Sequence, residues 1–191
     1  VVNLGGASMA FGLIGGLIQA ADSKAKTNVF TVAAKDTKLH IGAEVGLQLK
    51  DALERDGYVV TYLTGVRTKQ HAMESDYRKV PTDAEAILDV LVFSSGYYSW
   101  PNSTVYVPGL QVRTRLVSTR TQAPLFIQTY NYGEDVGVKG MENIKPHSKY
   151  SYPDFPRLQQ NKDEAIEGLR KGVPAIVARI SAALASHPEN A

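Results

Sequence analysis

The sequence predicts an α/β (α+β) domain in which a mixed sheet of four to five strands ends in an antiparallel meander and packs against about three helices. Helix-period apolar stripes occupy residues 36–56 and 161–186. Apolar β-prone runs occupy residues 86–98, 105–118 and 124–132. The chain of 191 residues, of which 43% are hydrophobic and 21% charged, is long enough for one such domain with its own core.

The N-terminal part of the chain is a glycine-rich apolar leader, and we predict a boundary that separates residues 1–27 from a single α/β domain at residues 28–191. The first charge is Asp22. Three interpretations stand: an ordered loop and helix packed on the domain, a membrane-proximal linker behind a removed signal or lipid anchor, and a transmembrane helix. The first predicts a helix over residues 10–26 whose apolar face packs on the domain or on a second copy, followed by a short strand at residues 28–32.

The next element is an amphipathic helix that Gly57 ends, followed at once by a strand at residues 58–63. Residues 65–82 are polar without a steady period, which predicts a surface loop or a weak helix. The run at residues 86–98 is too apolar for an edge strand, so we place it centrally. Pro108 and Gly109 predict a bulge or an edge in the strand that follows. Residues 133–156 read as a long loop, and Gly172 and Pro174 predict a kink or short break in the closing helix.

Composition argues against several chemistries. Cysteine is absent, the net charge is +2, and the four histidines fall in separate segments. Neither a P-loop nor a dinucleotide fingerprint occurs. We therefore predict no catalytic residue, no metal, no cofactor and no nucleic-acid partner.

One carboxylate interrupts the apolar central strand. Asp89 lies between Leu88 and Val90, which predicts that it is at least partly buried and hydrogen-bonded, with a structural role favoured over a catalytic one. Asp83 and Glu85 are interpreted as solvated residues at the entry of the strand.

Aromatic residues concentrate between positions 97 and 155, and arginines alternate on the neighbouring strand. If the two sets share one face of the meander, they form a surface suited to protein partners, glycans or anionic groups, and the alternative is that β propensity alone places them there. The partner-binding candidates are Arg113, Arg115, Tyr130, Tyr132, Tyr97, Tyr98 and Trp100.

Four segments together resemble a group of bacterial cell-envelope lipoproteins. They are LKDALERDGYVV at residues 49–60, TDAEAILDVLV at residues 82–92, VRTRLVSTRTQAPLF at residues 112–126, and the closing helix. The group contains the curli-secretion lipoprotein, the penicillin-binding-protein activator lipoprotein and the amino-terminal domain of the Tol translocation protein. The resemblance implies non-catalytic work in envelope assembly, secretion or activation. It also implies a periplasm-facing location, an outer-membrane anchor and a signal peptide, with a lipid-bearing cysteine just before this chain.

The leading hypothesis is therefore a non-catalytic envelope protein that binds or scaffolds an envelope partner or a second copy of itself, tethered to the membrane through a removed N-terminal segment. The alternative is a small hydrolase acting on an envelope glycan or peptide through Asp83, Asp89 or Arg115. A cytoplasmic domain of other purpose is the third hypothesis.

Overall fold

The computed structural model describes residues 2–7, for which only the backbone is described, and residues 40–66, 72–99 and 103–186. The helix predicted at residues 10–26 and the strand predicted at residues 28–32 lie outside the described residues, as does Trp100. The elements in chain order are β1 Val2–Ala7, α1 Ile41–Arg55, β2 Thr61–Thr64, a 3₁₀ turn Tyr77–Lys79, β3 Ala86–Tyr98, β4 Val107–Ser118, β5 Pro124–Tyr132, β6 Met141–Ile144, a 3₁₀ turn Ser148–Tyr150, α2 Phe155–Gln160 and α3 Lys162–Ala185.

The strands form one mixed sheet in the order β2-β1-β3-β4-β5-β6. β1 runs parallel to both of its neighbours, β3, β4 and β5 form an antiparallel meander, and β6 runs parallel to β5. The predicted fold class and its meander are confirmed, and the central placement of β3 is confirmed as well.

Strand β1 was not predicted, since residues 2–7 were assigned to the leader. In the structure it pairs with β2 from Val2 to Gly5 and with β3 from Val2 to Ala7. A run rich in glycine has low strand propensity, so its strand state depends on partners on both sides. The rest of the leader lies outside the described residues, and the boundary after residue 27 stays a prediction.

Helix α1 ends as the sequence predicts. Gly57 adopts a left-handed φ of 95°, which glycine reaches without a steric penalty. The amide of Gly57 donates to the carbonyl of Glu54 at 3.1 Å, and the amide of Tyr58 donates to that of Leu53 at 3.0 Å. These two bonds define a Schellman motif, which satisfies the last carbonyls of the helix and turns the chain toward β2.

The irregularity predicted at Pro108 and Gly109 is placed differently in the structure. These residues pair in register with Tyr97 and Gly96, and the register of the β3–β4 pair shifts instead between Val92 and Ser94. The pairing of β4 with β5 begins at Leu110, so Pro108 lies outside it and has β3 as its partner strand. The edge interpretation therefore fits, because a proline cannot donate a ladder hydrogen bond, whereas the bulge prediction at this site was wrong.

The segment predicted as one long loop contains β6 and the start of α2. A polar ladder holds β6 in place: the side-chain amide of Asn131 donates to Asn143 Oδ1 at 2.8 Å and to the carbonyl of Glu134 at 2.7 Å. Asn143 in turn donates to Asp135 Oδ1 at 2.9 Å. Polar side-chain hydrogen bonds hold this strand, and its sequence has no apolar alternation. The hydrophobic periodicity of the sequence therefore did not predict it.

Both long helices cover the same face of the sheet, α1 over β1 to β3 and α3 over β4 and β5. Glu44 of α1 pairs with Arg170 of α3 across the surface between them. α3 continues without a break through Gly172 and Pro174, so the predicted break is absent. Within the described ranges, no helix combines the length and the apolar character needed to cross a bilayer.

Glycine in α3 makes room for a tyrosine ring rather than for a break. A Cβ built on Gly172 would lie 2.7 Å from Cδ1 of Tyr132, whose side chain is buried against the helix. Cβ atoms do not approach that closely, so the ring position requires glycine at this site.

We expect Gly172→Ala to lower the free energy of unfolding by about 1–3 kcal/mol, because overpacking in a filled core costs this much. Helix propensity alone predicts the opposite sign, with alanine better by about 1 kcal/mol. Urea unfolding distinguishes the two. The exposed Lys171→Ala is the matched control and should change stability by less than about 0.5 kcal/mol. A Gly172→Ala variant as stable as the parent would contradict the packing argument.

Candidate functional site

The meander has two faces because successive strand residues point to opposite sides. Leu88, Val90 and Leu116 lie under the helices and belong to the main core. Ile87 and Val117 lie on the other side of the sheet, which we call the outer face. The cross-strand partners Asp89 and Arg115 lie on the same face.

The segment at residues 72–82 covers one end of the outer face. Tyr77 and Val80 pack there against Ile87 and Val117 as a second, small apolar cluster. Asp76 begins the 3₁₀ turn by accepting the amide of Arg78 at 3.3 Å. The polar stretch predicted as a surface loop or weak helix is thus partly buried, with a single 3₁₀ turn.

Asp89 is fully buried and joins this segment to the sheet. Its Oδ2 accepts the hydroxyl of Tyr77 at 2.9 Å and the backbone amide of Glu74 at 2.8 Å. Glu74, also buried, accepts the amides of Ser75 at 2.8 Å and Asp76 at 3.2 Å. The prediction that Asp89 is buried and hydrogen-bonded is confirmed.

The electrostatics of this cluster keep Tyr77 as a hydrogen-bond donor. Burial, and after it the carboxylate of Asp89, raise the pKa of the Tyr77 hydroxyl, and the Arg115 guanidinium opposes this by a smaller amount. Tyr77 therefore stays protonated at neutral pH and donates to Asp89. The arrangement fastens a loop to a strand, which is an anchoring role.

Among the described residues, the other carboxylates and the histidines are not gathered into a cluster of this kind. Asp83 and Glu85 are exposed at the entry of β3, as the sequence indicated. Among residues 40–66, 72–99 and 103–186, no three His, Asp or Glu side chains gather into a group that could hold a metal ion.

The predicted arginine–tyrosine face does not exist. Tyr130 pairs with Val112 and Tyr132 with Leu110, which places both tyrosines on the helix side of the sheet. Arg113 pairs with Thr129, and Arg115 with Ile127, on the outer face. The prediction of a shared face was wrong because the turn after Ser118 sets the register so that the two i, i+2 sets fall on opposite sides.

The remaining aromatic candidates divide in the same way. Tyr97 is fully buried, and its hydroxyl donates to the carbonyl of Ala165 in α3 at 3.1 Å. Tyr98 lies half-buried against Gly109, where its ring occupies the space of the missing side chain, and its hydroxyl is hydrogen-bonded to Ser94. Most of the tyrosine enrichment noted in the sequence is thus core packing under the helices.

Two exposed residues, Arg113 and Ile127, and two half-buried residues, Phe93 and Thr129, form a group on the outer face. The guanidinium carbon of Arg113 lies 5.7 Å from the centroid of the Phe93 ring, and its Nε donates to Thr129 Oγ1 at 3.3 Å. Ile127 is 52% exposed beside them. We call Phe93, Arg113, Ile127 and Thr129 the outer patch.

Sequence reasoning missed Glu74 and Tyr77, which bind Asp89 from 15 and 12 residues away along the chain. The only signal was the pair Tyr77 and Val80, two apolar residues three apart in a polar stretch, at the spacing of one 3₁₀ turn. Such a short signal does not show which strand the turn covers.

Comparisons with known proteins give distant structural likenesses only. No family model matches the chain, and no curated protein matches it. The hypothetical protein CT253 of Chlamydia trachomatis is 11% identical with a TM-score of 0.39, and 94% of each chain is covered. Lipoprotein GNA1162 of Neisseria meningitidis is 13% identical with a TM-score of 0.35, covering 72% of this chain and 85% of that one. Protein XCC0632 of Xanthomonas campestris, of family DUF330, is 10% identical with a TM-score of 0.40, covering 97% of this chain and 87% of that one.

The three similar structures are bacterial proteins and one is a lipoprotein by name. Each TM-score is below 0.5, so these likenesses carry no argument about the role of this chain. Membership of the curli-secretion, penicillin-binding-protein activator and Tol group stays a prediction from the sequence.

We expect Asp89→Ala to lower the free energy of unfolding by about 1–3 kcal/mol, because it leaves the Tyr77 hydroxyl and the Glu74 amide without their acceptor. Tyr77→Phe removes the donor of the same hydrogen bond, so the two changes should couple by about 0.5–3 kcal/mol in a double-mutant cycle. Urea unfolding measures both. Asp83→Ala, an exposed carboxylate before the same strand, is the control and should stay within about 0.5 kcal/mol. Additive effects of the Asp89 and Tyr77 changes would show that the two residues do not form one anchor.

Proposed function

We propose that this protein is a non-catalytic binding or scaffolding protein and that the outer patch is its contact surface. The observation that carries the proposal is the exposure of Ile127 beside Arg113 and Phe93 on a meander whose opposite face is buried under α1 and α3. Arginine and aromatic residues are enriched in interface hot spots. The ring contact and the Thr129 hydrogen bond already hold Arg113 in place, which lowers the ordering cost of binding.

The state of Asp89 supports a binding role over the alternative of a small hydrolase. Its carboxylate is fully buried and accepts two internal hydrogen bonds, so it does not reach a substrate. Asp83 is exposed on the approach to β3, in a setting that leaves it an ordinary solvated carboxylate.

The setting that we propose is the bacterial cell envelope, with the domain facing the periplasm and anchored to the outer membrane. The support is the sequence resemblance of residues 49–60, 82–92 and 112–126 and of the closing helix to envelope lipoproteins. The partner that we propose is another envelope protein or a second copy of this chain.

The outer patch should make specific contacts in cells. We expect a photo-cross-linking amino acid at position 113 or 129 to give discrete cross-linked products, because a bound partner lies against these side chains. The matched control is position 179 on α3, where Arg179 is 60% exposed on the helix side of the sheet. Immunoblots of irradiated cells measure the products, and a product of twice the chain mass identifies self-association.

Products of equal pattern and intensity from positions 113, 129 and 179 would show that the outer patch is no contact surface. So would the absence of any product from positions 113 and 129. An unchanged melting temperature for each substituted protein confirms that the fold is intact.

A further inference from the structure

A groove lies at the end of the outer face where the turn between β4 and β5 meets the 3₁₀ turn at Tyr77. It has a volume of about 400 Å³, within the usual range for small-ligand sites. Its lining residues come from three separate parts of the chain, and they are Ser75, Asp76, Tyr77, Arg78, Arg115, Val117, Gln122, Pro124 and Ile127.

Arg115 is the half-buried cation of this groove. Its Nε is buried and has no hydrogen-bond partner, and its guanidinium forms no ion pair with any described residue. The cross-strand neighbour Asp89 already accepts the Tyr77 hydroxyl and the Glu74 amide at Oδ2. The enclosed Nε is out of reach of a ligand, so an external acceptor would bind the part of the guanidinium that lines the groove, next to the Tyr77 hydroxyl.

The other two charged residues of the groove, Arg78 and Asp76, are paired with each other. Asp76 is bound by Arg78, with Nε to Oδ1 at 2.8 Å and Nη2 to Oδ2 at 3.2 Å. Two arginines and one aspartate leave the lining with a net charge of +1. The buried carboxylates of Asp89 and Glu74 contact the lining residues Tyr77 and Ser75 from behind. The attraction for an anion is therefore local to Arg115, whose guanidinium fork matches a carboxylate with two parallel hydrogen bonds.

The rest of the lining favours a peptide over a simple anion. Val117, Pro124 and Ile127 form an apolar wall beside Arg115. A carboxylate flanked by an apolar side chain satisfies the guanidinium and covers this wall at once.

We propose that this groove binds an acidic peptide segment of the partner, with a carboxylate on Arg115 and an adjacent apolar side chain against Val117 and Ile127. The inference rests on the proposed binding function and names the chemistry of the partner segment. It places the anchor of the partner at the groove, next to the outer patch.

The test uses the whole chain and two tripeptides, acetyl-Leu-Asp-Leu amide and the matched acetyl-Leu-Asn-Leu amide. We expect the aspartate peptide to shift the backbone amide signals of residues 75–78 and 122 in two-dimensional NMR. The asparagine peptide should bind at least about tenfold more weakly, since it lacks the charge-assisted pair. This comparison needs no substitution and holds even where a variant fails to fold.

Substitutions then assign the contact. Arg115→Gln should abolish the difference between the two peptides, while Arg179→Gln on α3 should preserve it. Equal binding of both peptides, no shift at residues 75–78 and 122, or an unchanged preference in a folded Arg115→Gln protein would overturn the inference. Inorganic phosphate that produces the same shifts at the same concentration would also overturn it, because the site would then be a general anion site.

The two proposals fail separately. Cross-links from position 113 together with no peptide binding in the groove would retain the outer patch and remove the acidic-peptide site. Carboxylate-selective binding in the groove without cross-links from positions 113 and 129 would retain the groove and remove the outer patch as contact surface.

Discussion

The antiparallel register of β3 on β4 decides on which face of the sheet the side chains of both strands lie. Leu88 opposite Leu116 and Val90 opposite Thr114 put one set of residues under α1 and α3, and Asp89 opposite Arg115 puts the other set on the outer face. Because side chains alternate along a strand, a shift of one residue would move the core residues to the outer face and place both charges under the helices. The register is therefore held by burial on the helix side and by the anchor on the outer side.

The anchor at Asp89 shows how a carboxylate is accommodated inside this sheet. An isolated buried charge is expensive, and here two donors from one segment meet it, the hydroxyl of Tyr77 and the amide of Glu74. The same two bonds bring the polar segment against the sheet, so that Ser75, Asp76 and Tyr77 form one side of the groove. Without the anchor the groove has no such side.

The two faces of the meander use their large residues differently. On the helix side, tyrosines fill space against glycines, as Tyr132 does against Gly172, and Tyr97 donates into the backbone of α3. On the outer side, Arg113 and Ile127 are exposed. The helix side thus holds the main core, whereas the outer side is only partly covered, which is a common arrangement for a sheet that has one buried face.

Local pattern alone determined the fold class, the bounds of β3 and β5, the end of α1 at Gly57 and the burial of Asp89, because periodicity, apolar runs and glycine caps are local signals. Long-range pairing decided the rest. β1 is a strand because β2 and β3 lie on either side of it, and β6 depends on the pairing of Asn131 with Asn143. The spacing of Arg113 and Arg115 and of Tyr130 and Tyr132 shows that each pair shares a side. Which side that is depends on the register after Ser118, and this is a contact between strands that no single strand contains.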